Sequence, residues 1–128
     1  MQKFQKIVSR IAMAVAAGAL VALPASAHHS FAMFDQTKVT QMDQATVAEF
    51  RFTNPHSFVV VNVTRGGKST RYVLECSSVN MMTRAGWRRN TLRAGDKVDV
   101  EFYPLRNGQP GGMLKTIKVT DGRTLNAW

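Results

Sequence analysis

Six consecutive residues, "KVDVEF" at Lys97–Phe102, alternate charged and apolar without a break. An extended chain sends successive side chains to opposite faces, so Val98, Val100 and Phe102 share one face and Lys97, Asp99 and Glu101 the other. The pattern recurs. "TVAEFRFT" (Thr46–Thr53) sets Ala48, Phe50 and Phe52 against Glu49 and Arg51, and "RYVLEC" sets Tyr72, Leu74 and Cys76 against Arg71, Val73 and Glu75. "SFVVVNVT" (Ser57–Thr64) is rich in β-branched residues, "RGGK" (Arg65–Lys68) turns the chain back, and "MLKTIKVT" runs to a turn at Asp121-Gly122. Short alternating runs bounded by Gly, Asn and Pro predict strands joined by turns.

One segment interrupts the strands. Ser78 is a helix N-cap by residue type, Val79, Met82 and Ala85 fall at helical spacing, and Gly86 can take the left-handed stop position. The order of three strands, a helix and two strands predicts a mainly β fold. It is the order of a small five-stranded OB-like β-barrel with one short helix between strands 3 and 4. A plain antiparallel sheet carrying one helix is the other architecture this order allows. The barrel is expected over residues 46–128 and an extended N-terminal arm over 28–45, with no repeat, low-complexity stretch or second domain.

The first 27 residues have a different grammar. Lys3, Lys6 and Arg10 open the chain without an acidic residue, "IAMAVAAGALVAL" (11–23) is uncharged and apolar, and Pro24 precedes the small residues Ala25-Ser26-Ala27. That is a secretory signal peptide with cleavage after Ala27, which predicts a periplasmic or secreted protein beginning at His28. As a membrane anchor the apolar run is too short: at ~1.5 Å per residue it reaches roughly 20 Å of a ~30 Å hydrocarbon core. Cleavage removes three of the 17 basic residues and none of the 8 acidic ones, leaving a basic domain of ordinary single-domain size. Cys76 is the only cysteine, so no internal disulfide can staple the exported chain and its core must hold it.

Four blocks in order, "HHSFAMFD" (28–35), "NPHSFVVVNV" (54–63), "RAGWRRNTLRAGDKV" (84–98) and "PGGML…DGRTL" (110–114 and 121–125), resemble a family of small exported bacterial proteins classed as a domain of unknown function. The resemblance implies export and a small β-barrel, and it implies no activity. The chain departs from the family pattern at the helix, where a Ser-Pro start is usual and "ECSSVNMM" (75–82) stands instead. Cys76 therefore reads as particular to this protein.

Three histidines, His28, His29 and His56, follow the cleavage point. A free α-amino group at His28 and its own Nδ1 can chelate one metal ion, since the amine, with an ordinary pKa of ~7.7–8, is partly deprotonated near neutrality. Neutral nitrogen donors favour Cu(II) among the divalent metals. His56, after the turn signal Asn54-Pro55, is a candidate third nitrogen, and His29 is a weaker candidate because it lacks the amine. An N-terminal histidine with one internal histidine resembles the copper brace of some secreted copper proteins, in ligands rather than in fold. Against it, histidines near strand starts often serve only to hydrogen-bond backbone, and no CxxC or HExxH spacing occurs. Thioethers of Met33, Met42, Met81, Met82 and Met113 suit Cu(I), yet their scatter fits core filling better.

The other candidate is a basic face. Arg84, Arg88, Arg89, Arg93 and Lys97 crowd around Trp87, which on a cytoplasmic OB-like barrel would point to single-stranded nucleic acid. Export redirects the expectation to an acidic envelope protein or an anionic surface, with a merely solvated positive face as the plain alternative. No G-x-S-x-G elbow or phosphate-binding glycine loop is present, and Cys76 falls on the inward face with Tyr72 and Leu74. Two function classes follow: a non-catalytic metal-binding protein using His28 and His56, and a non-catalytic interaction module using the basic face.

Overall fold

The alternating runs fold as strands in the computed structural model, which describes residues 31–128. The order is β1 (Thr40–Arg51), β2 (Phe58–Arg65), β3 (Lys68–Glu75), α1 (Val79–Arg84), β4 (Lys97–Pro104), β5 (Gly111–Lys118) and β6 (Thr124–Asn126). Neighbours pair antiparallel in the order β3-β2-β1-β4-β5-β6, and a parallel pairing of Val73–Glu75 with Gly111–Met113 joins β3 to β5. That last pairing closes β1-β2-β3-β5-β4 into a five-stranded barrel, the OB-like order, and excludes the open sheet. Among the described residues no helix is long and apolar enough to cross a membrane.

Closure demands that β5 lie very near both neighbours, and two glycines permit it. A Cβ on Gly111 would come within 2.8 Å of the Val73 carbonyl oxygen. On Gly112 it would overlap the Tyr103 carbonyl oxygen and stand 2.6 Å from Phe102 Cδ2. The interior is filled from all five strands. Val47, Val59, Leu74, Val98, Phe102 and Ile117 are each no more than 1% exposed, so the barrel holds a dry core without a disulfide.

The structure corrects several expectations. The barrel begins at Thr40 rather than at residue 46, because Thr40–Met42 already pair with Val100–Phe102. Alternation hides this, since the register slips between Met42 and Ala45 and again between Val47 and Glu49. Each bulge adds a residue and shifts the inward set by one. Met42, Ala45 and Val47 therefore point inward, followed by Phe50 and Phe52, and Ala48 is displaced from the face it was expected to share with them. The described part of the arm is fastened down. Phe34, 3% exposed, bridges to Leu105; Asp35 N–H donates to the Pro104 carbonyl at 2.8 Å, and Arg106 N–H donates to that of Met33 at 2.9 Å.

The helix follows expectation at its ends. Ser78 Oγ accepts the Met81 amide at 3.4 Å, Met82 is fully buried, and Gly86 at φ +96° ends the turn. Ala85 is exposed and does not continue the buried face. β6 lies beyond the Asp121-Gly122 turn and pairs Thr124–Asn126 with Thr116–Lys118. Three residues are too few for periodicity to reveal.

Candidate functional site

At the end of the barrel where β1 gives way to β2, a short loop carries His56. Its peptide Asn54-Pro55 is cis. Polar contacts within the loop fix its shape: Ser57 Oγ donates to the Thr53 carbonyl at 3.1 Å, and Thr53 Oγ1 donates to that of His56 at 3.0 Å. Asn54 Oδ1 accepts the Val79 amide at 3.0 Å, which ties the loop to the first turn of α1. His56 is thus mounted on a braced segment, the condition for a loop residue to serve as a positioned ligand.

Three groups surround the His56 ring. Its Nδ1 faces Glu75 Oε1 across the β2–β3 pair, whose register sets Phe58 opposite Glu75. With Nδ1–H donated to the carboxylate, Nε2 is the nitrogen left with a lone pair, the usual arrangement for a metal-binding imidazole. The Trp128 ring meets His56 edge-on, with centroids 5.6 Å apart. On the same indole, Phe31 packs at 5.3 Å. Trp128 therefore gathers His56 and the start of the described chain at one end of the barrel.

Two buried donors adjoin this cluster. Ser77 Oγ and Trp128 Nε1 have no hydrogen-bond partner among the described residues. Ser77 lies against the His56 loop through its carbonyl, which accepts the Ser57 amide at 3.0 Å. A buried polar atom left unpaired costs about 1–3 kcal/mol, so two such atoms mark this end of the barrel as chemically unlike the rest of the core.

His28 and His29 lie outside the described residues. Among the described residues no group of three His, Cys, Asp or Glu side chains is arranged to hold a metal. Met42, Met82 and Met113 are buried in the core, whereas Met33 and Met81 are about half exposed. Cys76 is fully buried, and desolvation pushes its thiol far above the ordinary value.

The expected basic face keeps its arginines at the surface and loses its tryptophan. Trp87 is a core residue, not a docking aromatic: it is 0% exposed, packs against Phe50 at 5.5 Å and donates Nε1–H to the Asn126 carbonyl at 2.7 Å. Its large apolar ring is part of the core cluster, which outweighs any surface role. Arg84 ends α1, and Arg89 lies 5.9 Å over the Phe52 ring. Arg88 and Arg93 line a polar cleft with Arg123.

Glu75, Ser77, Trp128 and Arg123 were not apparent as site residues in the sequence. Pairing "SFVVVNVT" with "RYVLEC" through the "RGGK" turn would have brought Glu75 beside His56. Nothing in the sequence marks Trp128.

A family model matches residues 16–115, and its description is a family of unknown function, DUF6152. No curated protein matches, and no solved structure does.

Proposed function

Since the chain belongs to this family of unknown function, its own residues must carry the case, and we propose that it is an exported, non-catalytic metal-binding protein that holds copper through His56 and the mature N-terminus at His28. The observation that supports this most is the double contact on Trp128. Phe31 and His56 flank one indole, at 5.3 and 5.6 Å. Phe31 stands three positions after His28 in the chain, so the proposed amine ligand and the described contact on Trp128 are close in sequence. Glu75 on Nδ1 leaves Nε2 of His56 for the metal. An amine and two imidazoles form a neutral nitrogen set of the kind Cu(II) prefers.

The test compares the mature protein, beginning at His28, with a version one residue longer at its N-terminus. The extension keeps both imidazoles and converts the amine into an amide. Titration calorimetry with Cu(II) is expected to show one site in the mature protein that weakens in the extended form and weakens again in His56→Ala. Equal binding by mature and extended proteins would refute the reading. Mass spectrometry of the exported protein is expected to give His28 as its first residue.

A further inference from the structure

The loop between α1 and β4 and the turn between β5 and β6 enclose a cleft of about 460 Å³, lined by Arg88, Asn90, Thr91, Arg93, Thr120 and Arg123 among others. Ligand pockets are typically ~300–1,000 Å³. From its charge and donors we propose that this cleft binds the phosphate group of a small soluble phosphate ester. The inference is independent of copper at His56.

The arginines come from separate stretches of chain and differ in how they are held. Arg88 is anchored through one nitrogen: its Nη1 donates to the Thr83 carbonyl at 3.1 Å and to that of Trp87 at 2.7 Å. That leaves the N–H groups of Nε and Nη2 for an oxyanion, on a guanidinium already fixed in place. Among the described residues the Arg93 guanidinium has no hydrogen-bond or ion-pair partner. Arg123 donates Nε–H to Asp121 at 2.8 Å and keeps its terminal nitrogens.

Two carboxylates also line the cleft, and each is engaged by its own turn. Asp96 Oδ2 accepts the Arg93 amide at 2.9 Å. Asp121 accepts the Arg123 amide at 3.0 Å as well as the Nε–H bond. Three guanidinium groups against two occupied carboxylates leave the cleft positive. Thr91, Thr120 and Asn90 add neutral donors at its walls. Guanidinium groups pair with phosphate oxygens in forked geometry, and several converging on one concavity favour a dianion over a single carboxylate.

The wall chemistry favours a soluble ester over a lipid headgroup. A membrane surface is held partly by inserted apolar side chains, and the large exposed ones here are Phe31, Met33, Val39, Val73 and Met81. None lines the cleft.

Glycerol 3-phosphate serves as the probe, titrated into ¹⁵N-labelled mature protein while amide shifts are followed. Saturable shifts are expected at Gly86, Asn90, Thr91 and Thr120, weakening as ionic strength rises. The double variant Arg93→Ser/Arg123→Ser is expected to weaken binding by about tenfold or more, as loss of charge-assisted hydrogen bonds does. A control pair, Arg51→Ser/Arg71→Ser, removes two charges that flank Glu49 and is expected to leave the affinity within about twofold, the scale of surface charge effects. Amide dispersion checks that each variant is folded, and His56→Ala is expected to bind the probe normally. The proposal is overturned if no saturable shift appears in the millimolar range, or if the control pair weakens binding as much as the cleft pair. Binding to phosphatidylglycerol vesicles without binding of the soluble ester also overturns it.

Discussion

Gly112→Ala tests how closely β5 packs on β4 within the barrel, with a cost that follows from the backbone. A Cβ at Gly112 would overlap the Tyr103 carbonyl oxygen, reach Phe102 Cδ2 at 2.6 Å and the Tyr103 carbonyl carbon at 3.0 Å. Tyr103 belongs to β4, paired with β5 through Tyr103↔Met113 and Pro104↔Gly112. The obstacle is main chain, so no side-chain rotation relieves it; β4 and β5 must part. Overpacking a core costs about 1–3 kcal/mol, and an unyielding partner places this case at the upper end. For a domain of this size each kcal/mol lowers Tm by roughly 4–8 °C, giving a fall of roughly 12–24 °C. Gly108→Ala is the internal control. Its φ is +75° with no atom within 4 Å of the added methyl group, so the cost there is conformational, about 1–2 kcal/mol. Thermal unfolding followed by circular dichroism compares them directly. If Gly112→Ala costs no more than Gly108→Ala, the close approach of β5 to β4 does not require a glycine at 112.

Three further outcomes follow from the site and the core. Cys76 is fully buried with its thiol pushed up by desolvation, so native protein is expected to stay unlabelled by a thiol reagent at pH 8 and to react with one equivalent after unfolding; labelling of the native state would place the residue elsewhere. Glu75→Gln is expected to weaken copper binding on the order of 10–100-fold, the usual effect of losing a carboxylate behind a ligating imidazole. Because the metal needs the unprotonated amine, affinity is expected to be full above the amine's ordinary pKa of ~7.7–8 and to fall as pH drops through it. A pH-independent affinity, or one unchanged by Glu75→Gln, would contradict the assigned donors.

The candidate site was legible only in part. His56 stood out because few residue types carry its chemistry and because Asn54-Pro55 marks a turn. Its partners were not visible in the same way. Glu75 reads as one more outward residue of an alternating strand, and only the β2–β3 register sets it against the imidazole. Trp87 shows the opposite error: a tryptophan among arginines looks like a surface platform, yet its ring is buried in the core against Phe50 and bonded to the Asn126 carbonyl.

Local chemistry along the chain was enough to determine strands, turns, the N-cap at Ser78 and the helix stop at Gly86, because period-two burial, side-chain capping and left-handed backbone are short-range effects. Their order was enough to indicate an OB-like barrel. Tertiary structure alone decided where β1 begins, because its bulges erase the alternation by which strands are recognised. It alone joined β3 to β5, a parallel contact whose only trace in the chain is the pair Gly111-Gly112. It also gathered Phe31, His56, Glu75 and Trp128 at one end of the barrel. Each of these depends on which distant segments share a surface, and closing the barrel is what brings those segments together.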